Sequence, residues 1–448
     1  MGKKFLILIV LFNFSIYAQT HISGSLTPFN TEYNWVILYQ LKGVKQVYVA
    51  NTEIVNGNFS IELPSNSPKG MYRLMYDLDK NGFIDFIYNN QSINVAFNPN
   101  NAQETIVFSN SEENKQYQSY LNEAEGIKRK LDSLQITFLA VNQTQEKSDF
   151  NALYQKVKTH YDELQQHYEK VTNNKLAHHF IKGNFKYYPT ELIATPQLYL
   201  NSERNHFFDY INFEDKELLN STFLTEKIID YVFYLNSSDD FEAQNKLHLA
   251  AIKTIMDKAA GNYELKIELL TTLLYAFGQM ENATIVHFVL NNYYNKLPAE
   301  KQEKKVIEEV LELVKTAIGN AAPEIEWIEK GKSNKLTTLA KADHYLLVFY
   351  SSTCSHCLIE VPKLYNFSQN LSKVKVIAVA LEDNDVQFKI HAATFKKWSN
   401  ILALGKWENT IAKNYGIKST PTYFVLDQHK KIVSKPHLLE DVFKFFGN

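Results

Sequence analysis

The chain has 448 residues, a net charge of −2 and a hydrophobic fraction of 45%. A single ordinary core does not grow to this size, so two or three globular domains are expected. The lack of a basic surplus removes the electrostatic support for a nucleic-acid partner and for binding to an anionic membrane surface.

The N-terminal 18 residues have the pattern of a secretory signal peptide. Lys3 and Lys4 give a basic start, residues 5–14 are an apolar run, and Ala18 offers a small residue for cleavage. The apolar run is too short and too interrupted for a membrane-spanning helix. We therefore expect a cleaved signal and a periplasmic protein. The alternative is an uncleaved N-terminus that anchors the protein with its bulk facing the periplasm.

Residues 19–108 are predicted to form an all-β, sandwich-like domain. Asn56-Gly57 and Asn81-Gly82 are the residue pairs that tight hairpin turns require. Short runs rich in aromatic and β-branched residues predict strands at 35–41, 46–51, 58–63, 71–76, 83–88 and 92–97.

One segment of this domain, residues 77–85, copies the start of a calcium-binding EF-hand loop. Tyr88 stands where such a loop needs a bidentate glutamate, so an acidic hairpin turn is favoured and calcium binding stays open.

Residues 109–320 are predicted to be helical. Leu270, Leu273, Leu274 and Phe277 follow the spacing of one helical face, and Gly319 is placed to end the last helix. Residues 321–324 form a short linker. The last predicted domain, residues 321–448, begins with this linker and then alternates strand and helix, which predicts an α/β domain with a strand at 345–351 and a helix at 355–371.

The two cysteines of the chain, Cys354 and Cys357, lie where this strand gives way to this helix. A disulfide across two intervening residues closes a very small loop and stabilises a fold little. No second pair of thiols is present to complete a zinc site. A redox-active pair is therefore predicted, with no metal and no cofactor other than the Cys354–Cys357 disulfide.

Three features support a family resemblance: the Cys354-Ser355-His356-Cys357 motif, the Glu360-x-Pro362 continuation, and the Tyr-Gly-Ile-Lys-Ser-Thr-Pro-Thr run at 415–422. Residues from about 322 to 448 resemble a thioredoxin-like domain and, within that group, the TlpA/ResA-type exported thiol-disulfide oxidoreductases. The β-domain resembles the one found ahead of such domains in Bacteroidetes-type proteins. The resemblance implies that Thr420 and Pro421 form a cis-proline loop that offers backbone to substrates.

The predicted roles of the motif residues follow from its place on a helix. Cys354, at the first turn, is favoured as a thiolate nucleophile, and Cys357 would resolve the mixed disulfide. Glu360 shares a helical face with Cys357 and would take its proton. Val348 stands where thioredoxins commonly have a buried aspartate, and no acidic group besides Glu360 is apparent near the dithiol.

His356 is predicted to tune the redox potential. If protonated, it would stabilise the thiolate and make the couple more oxidising, as in DsbA-like oxidants, whereas the subgroup resemblance favours a reductase. The reductase direction is slightly favoured. Protein thiols and disulfides are the expected substrates, with a membrane or periplasmic redox partner and a part in cell redox homeostasis.

The sequence offers two alternatives to thiol-disulfide exchange. The β and helical regions could form a partner- or ligand-binding module with an accessory redox domain, since the chemistry does not need their roughly 300 residues. A thiol peroxidase is disfavoured, because Leu347 stands where that family has a proline. The sequence leaves the oligomeric state open.

Overall fold

The structure is a computed structural model that describes residues 20–64, 66–140, 144–329 and 331–447. The predicted signal peptide at 1–18 lies outside these residues. Contacts divide the chain into two units, one ending at Lys266 and one beginning at Ile267. Within the described ranges, no helix has both the length and the apolar character that crossing a membrane requires.

Two four-stranded sheets open the first unit. Their elements are β1 (His21–Leu26), β2 (Trp35–Lys42), β3 (Lys45–Glu53), β4 (Asn58–Glu62), β5 (Gly70–Asp77), β6 (Gly82–Tyr88), β7 (Ile93–Phe97), the single-turn helix α1 (Ala102–Thr105) and β8 (Val107–Phe108). The strand orders are β4-β1-β7-β8 and β3-β2-β5-β6. Ile22 and Val95 from one sheet share a core with Leu38 and Tyr72 from the other. The prediction of a sandwich-like β-domain is confirmed.

Strand β1 is absent from the predicted strands, although it lies inside its sheet. It pairs antiparallel with β4 and parallel with β7. Gly24, a residue depleted in strands, is needed here, because a Cβ at this position would lie 2.3 Å from the carbonyl oxygen of Val95. The close approach of two backbones therefore explains why the sequence of β1 looks unlike a strand.

Helices follow the sandwich, which confirms the predicted all-α region. They are α2 (Glu112–Ala140), α3 (Thr144–Val171), α4 (Leu176–Asn184), α5 (Pro196–His206), α6 (Lys216–Leu219), α7 (Phe223–Ile229) with a π-helical turn at Asp230–Leu235, α8 (Phe241–Lys258), α9 (Tyr263–Gln279), α10 (Ala283–Asn292), two 3₁₀ turns at Tyr294–Lys296 and Ala299–Lys301, and α11 (Lys304–Val314). The side chain of Asn114 on α2 bonds both the N–H and the C=O of Ile87, at 2.7 and 2.8 Å, which joins the first long helix to the sandwich.

The second unit ends in a five-stranded sheet with helices on it. Its elements after α11 are the hairpin β9 (Glu326–Glu329) and β10 (Lys332–Lys335), then β11 (His344–Tyr350), α12 (Ser355–Ser368), β12 (Val374–Glu382), α13 (Val386–Thr394), β13 (Ser399–Leu404), a 3₁₀ turn at Lys406–Glu408, α14 (Thr410–Asn414), β14 (Thr422–Asp427), β15 (Ile432–Ser434) and α15 (Leu439–Gly447). The predicted α/β fold is confirmed, whereas the hairpin β9–β10 was not anticipated.

Strand β11 is the centre of this sheet, whose order is β13-β12-β11-β14-β15. It pairs parallel with β12 and antiparallel with β14. Both faces of the sheet are covered by apolar cores, so β11 is buried from Tyr345 to Tyr350 and has no polar alternation. The cysteine motif follows directly at the carboxyl end of this strand.

Residues 319–322, which include the first half of the predicted linker at 321–324, are hydrogen-bonded to β15 and to the turn before it. The N–H of Gly319 bonds the C=O of Ile432 at 2.7 Å, and the N–H of Ile432 bonds the C=O of Asn320 at 2.8 Å. The N–H of Ala322 bonds the C=O of Lys430 at 2.9 Å. Residues 319–322 therefore run beside β15 in the manner of an added strand.

Candidate functional site

Cys354 caps the N-terminus of α12. Its backbone is extended, with φ −88° and ψ 118°, and its sulfur accepts a hydrogen bond from the N–H of Cys357 at 3.3 Å. This places Cys354 at the helix end where unpaired N–H groups favour an anion. Both thiols are free; Cys354 is half-buried and Cys357 is 2% exposed. One cysteine is therefore presented to a substrate and the other is kept behind it.

The surroundings make the two thiols chemically unequal. Burial opposes ionisation of Cys354, but hydrogen bonds from the Cys357 thiol and from the backbone N–H groups of Cys357 and His356 outweigh it and lower the pKa of Cys354. For Cys357, burial and then the hydrogen bond to Cys354 raise the pKa to about 12. Of the two thiols, Cys354 is therefore the one that ionises more readily.

The loop before β14 lies against Cys354. The Thr420–Pro421 peptide bond is cis. The thiol of Cys354 donates a hydrogen bond to the C=O of Thr420 at 3.2 Å. The structure thus brings Thr420 and Pro421 next to Cys354, although Cys354 and Thr420 are 66 residues apart in the sequence.

Glu360 has a partner that the sequence did not reveal. The hydroxyl of Tyr423 donates a hydrogen bond to its carboxylate at 3.0 Å. Tyr423 lies opposite Val348 in the β11–β14 pairing and packs in the same apolar cluster as Cys357. Burial chiefly raises the pKa of Tyr423, and the charges of Glu360 and Cys357 raise it further. The Tyr423 hydroxyl is therefore placed near both the predicted proton acceptor and the predicted donor.

The expectation that Glu360 is the sole acidic group near the dithiol is wrong. Glu382, at the end of β12, is 3% exposed, and its carboxylate accepts the N–H of Ser352 at 2.6 Å, two residues before Cys354. It also raises the pKa of Tyr350, after burial and ahead of Cys357. The sequence does contain a signal for Glu382. It is an acidic residue at the end of the apolar strand β12, which lies parallel to the strand that leads into the cysteine motif.

The hydroxyl of Tyr350 is buried, and it has no hydrogen-bond partner among the described residues. The side chain of His356, by contrast, is exposed to solvent. The site therefore combines two buried polar residues, Tyr350 and Glu382, with a histidine that is exposed to the screening of water.

The calcium-like segment is a hairpin turn between β5 and β6. The carboxylate of Asp77 accepts the N–H groups of Asp79 and Lys80 at 3.1 and 3.0 Å. The carboxylate of Asp85 binds the guanidinium of Arg73 at 2.7 Å. Across the described part of the chain, no group of three or more His, Cys, Asp or Glu is placed to hold a metal ion.

Known proteins were compared with the chain as a whole. No curated protein matches it. A domain of a possible thiol-disulfide isomerase from Cytophaga hutchinsonii is 28% identical over 29% of this chain and 89% of its own, with a TM-score of 0.26. The thioredoxin domain of a thiol-disulfide oxidoreductase from Bacteroides vulgatus is 27% identical over 29% of this chain and 98% of its own, with a TM-score of 0.26. A thioredoxin-like protein from Bacteroides caccae is 17% identical over 59% of this chain and 97% of its own, with a TM-score of 0.37.

Two family models match separate parts of the chain. Residues 20–117, which include the β-sandwich, match a domain of unknown function, DUF4369. Residues 343–432, which include β11, the cysteine motif and the cis-proline loop, match a family described as thioredoxin-like. The dithiol-bearing segment of this protein, residues 343–432, therefore matches the thioredoxin-like family, and a segment that matches DUF4369 precedes it in the same chain.

Proposed function

We propose that the protein is an exported thiol-disulfide oxidoreductase that exchanges disulfides with protein substrates through Cys354 and Cys357. The observation that carries the proposal is the inequality of the two thiols. The pKa of the accessible Cys354 is lowered, whereas that of the buried Cys357 is raised to about 12. This is the arrangement that a two-step exchange requires, because the attacking sulfur must be a thiolate and the resolving sulfur must wait.

The exchange proceeds in two displacements. The Cys354 thiolate attacks one sulfur of the substrate disulfide, forms a mixed disulfide and releases the other sulfur as a thiolate. Cys357 then loses its proton and attacks the sulfur of Cys354, which forms the Cys354–Cys357 disulfide and releases the second substrate thiolate. Two electrons pass from the dithiol to the substrate, and a dithiol partner must return them.

The second displacement needs an acceptor for the Cys357 proton. With a pKa of about 12, Cys357 is a thiol at neutral pH, so attack and deprotonation must be coupled. The Glu360 carboxylate, bonded to Tyr423 beside Cys357, is the group we assign to this role.

The reductase direction is favoured. A histidine between the cysteines makes a couple oxidising when its charge stabilises the thiolate, and the exposure of His356 weakens that charge through solvent screening. We expect full-length protein equilibrated with glutathione buffers to show a reduction potential closer to about −270 mV, thioredoxin's value, than to about −120 mV, DsbA's value. A value near that of DsbA would reverse the assigned direction.

The proposal has three further parts. The protein is exported, a membrane or periplasmic partner supplies its electrons, and the cysteine pair is its sole redox group. Export rests on the sequence of residues 1–18, and fractionation with N-terminal sequencing tests it. A mature periplasmic chain that begins at Gln19 is expected. An unprocessed chain in the membrane fraction would support the anchored alternative.

The decisive test of the chemistry is a trapping experiment. In Cys357→Ala, the mixed disulfide formed by Cys354 has no resolving thiol and accumulates with a disulfide substrate such as oxidised glutathione, detected as a mass increase. Cys354→Ala is the matched control and should form no adduct, because Cys357 is buried and protonated. The absence of any adduct in Cys357→Ala would refute the proposed function.

A further inference from the structure

A cleft of about 750 Å³ opens in the second unit, beside the cis-proline loop. One wall comes from helices α9 and α11 and the turn that follows α11, with Tyr275, Leu313 and Thr316 facing the opening. The other wall is the loop from Asn414 to Ser419 and the start of β14. The helical wall is separate from the thioredoxin-like segment at 343–432, so the cleft combines two regions of the chain.

Contacts at both ends hold the two walls together. Lys435, after β15, pairs with Glu281, which follows α9. The ammonium of Lys315 bonds the amide oxygen of Asn414 at 3.1 Å. Three of these four residues line the cleft, so direct polar contacts join its two walls.

The loop wall has a row of unused backbone donors. The N–H groups of Lys418, Ser419 and Thr420 make no hydrogen bond among the described residues, and Lys418 and Ser419 are exposed. The next carbonyl along, that of Thr420, accepts the Cys354 thiol. An extended chain that pairs with this loop would therefore lead to the nucleophile at one end and to the cleft at the other.

The charged groups of the helical wall are already in use. Glu281 pairs with Lys435, Glu312 with Lys315, and Glu309 accepts the hydroxyl of Tyr275 at 2.5 Å. Three paired carboxylates offer no convergent free charge to orient a small ion. What remains is the backbone donors with the side chains of Lys418 and His437 on one side, and the partly buried Leu313 and Thr316 on the other.

We propose that this cleft binds the extended polypeptide segment that flanks the reactive cysteine of a protein substrate. The inference rests on the proposed thiol-disulfide exchange and assigns to helices α9 and α11 a part in substrate selection. The loop pairs with the backbone of the segment, and the helical wall contacts its side chains. Selection is therefore for unfolded or extended disulfide-bearing chains over compact disulfides that lack such a segment.

The test narrows the cleft in the full-length protein. Thr316→Trp places an indole between the walls, and Leu311→Trp, on α11 but outside the lining, is the matched control. Two disulfide substrates are compared: oxidised glutathione, and a cysteine-containing peptide of about twelve residues joined to glutathione by a disulfide. We expect Thr316→Trp to lower the ratio of kcat/KM for the peptide to kcat/KM for glutathione about tenfold or more, a size typical of a lost pocket contact. Leu311→Trp should keep the wild-type ratio.

An unchanged ratio in Thr316→Trp would overturn the proposal. Leu313→Lys places a charge at a second point in the cleft and is expected to lower the ratio of the two kcat/KM values in the same way. It replaces Thr316→Trp if that variant does not fold.

A binding measurement distinguishes recognition by the cleft from the exchange reaction. It uses the same peptide with serine in place of cysteine and is read by fluorescence anisotropy. If the wild type reduces neither substrate yet binds this peptide and Thr316→Trp does not, the proposed function fails and the cleft assignment stands. If the wild type reduces both substrates but does not bind the peptide, the cleft assignment fails.

Discussion

The hydroxyl of Tyr423 and the carboxylate of Glu360 are 3.0 Å apart, and Tyr423 packs in the same apolar cluster as Cys357. Glu360→Gln keeps the hydrogen-bonding shape but removes the base, so the attack of Cys357 on the mixed disulfide should slow. Since general-base catalysis contributes about 10²–10⁴-fold, a loss of at least roughly tenfold in this step at pH 7 is expected. Quenched-flow alkylation of the mixed disulfide measures it.

Tyr423→Phe should slow the same step less than Glu360→Gln, because the carboxylate stays and loses one donor. Glu300→Gln, an exposed acid in the 3₁₀ turn Ala299–Lys301, is the control and should leave the rate unchanged. Equal rates in wild type and Glu360→Gln across pH 6–9 would remove Glu360 from proton transfer.

The lowered pKa of Cys354 predicts the pH dependence of its reactivity. Because the folded protein favours the thiolate, alkylation of Cys354 by iodoacetamide should reach half its maximum below about pH 8.5, the value for an ordinary cysteine, and fall only as the pH drops through the lowered pKa. In urea the profile should move up to the ordinary value. Cys357→Ala removes the thiol donor and should also move the folded profile upward. Identical folded and unfolded profiles would contradict the site's electrostatics.

Glu382 is predicted to fix the loop that presents Cys354. Its removal in Glu382→Ala leaves the buried N–H of Ser352 without an acceptor, and a hydrogen bond to a charged group contributes about 1.5–3 kcal/mol. Hydrogen exchange at residues 351–354 should therefore accelerate about tenfold or more.

Glu382→Gln keeps an acceptor and should exchange more slowly than Glu382→Ala. Asp383→Ala is the control for the loss of an acidic side chain. Asp383 is the next residue in the chain, and its exposed carboxylate pairs with Lys406. Protection at Ser352 that survives in Glu382→Ala would show that this carboxylate does not hold the loop.

Two glycines of the first unit should respond to alanine in opposite ways. At Gly24 a Cβ would lie 2.3 Å from the carbonyl oxygen of Val95, so Gly24→Ala is expected to cost about 1–3 kcal/mol or more through overpacking. At Gly126, inside α2, nothing lies within 4 Å of a Cβ, and Gly126→Ala should stabilise by about 0.5–1 kcal/mol. Urea midpoints of the full chain should move in opposite directions; a loss in both would contradict the packing of β1.

The position of Cys354 and the cis-proline loop were predictable because each is encoded locally. An apolar strand that runs into a helix places Cys354 at the helix start, and the run around Pro421 resembles a known loop. Tyr423 and Glu382 were not predictable in this way. Tyr423 is 63 residues from Glu360, and Glu382 is 30 residues from Ser352. The packing of α12 on the sheet brings the first pair together, and the pairing of β11 with β12 brings the second pair together.

The missed elements have a related cause. Strand β1 is held by its pairing with β4 and β7, and a small residue, Gly24, is needed where the backbones approach closely. The hairpin β9–β10 is short and largely charged, and Trp327 anchors it in the core below the sheet. In both places tertiary contacts outweigh local propensity. The cleft beside the cis-proline loop likewise needs α11 and the loop to meet in space.

The pairing of residues 319–322 with β15 affects where the chain can be cut to produce the thioredoxin-like region as a separate fragment. Strand β15 is the last of its sheet, and these residues occupy its outer hydrogen-bonding groups through Ile432 and Lys430. A fragment cut at residue 343, where the family match begins, would leave that edge bare. Bare edges recruit other chains, so such a fragment is expected to self-associate or aggregate, whereas one that keeps residues from 319 onward carries its own edge protection.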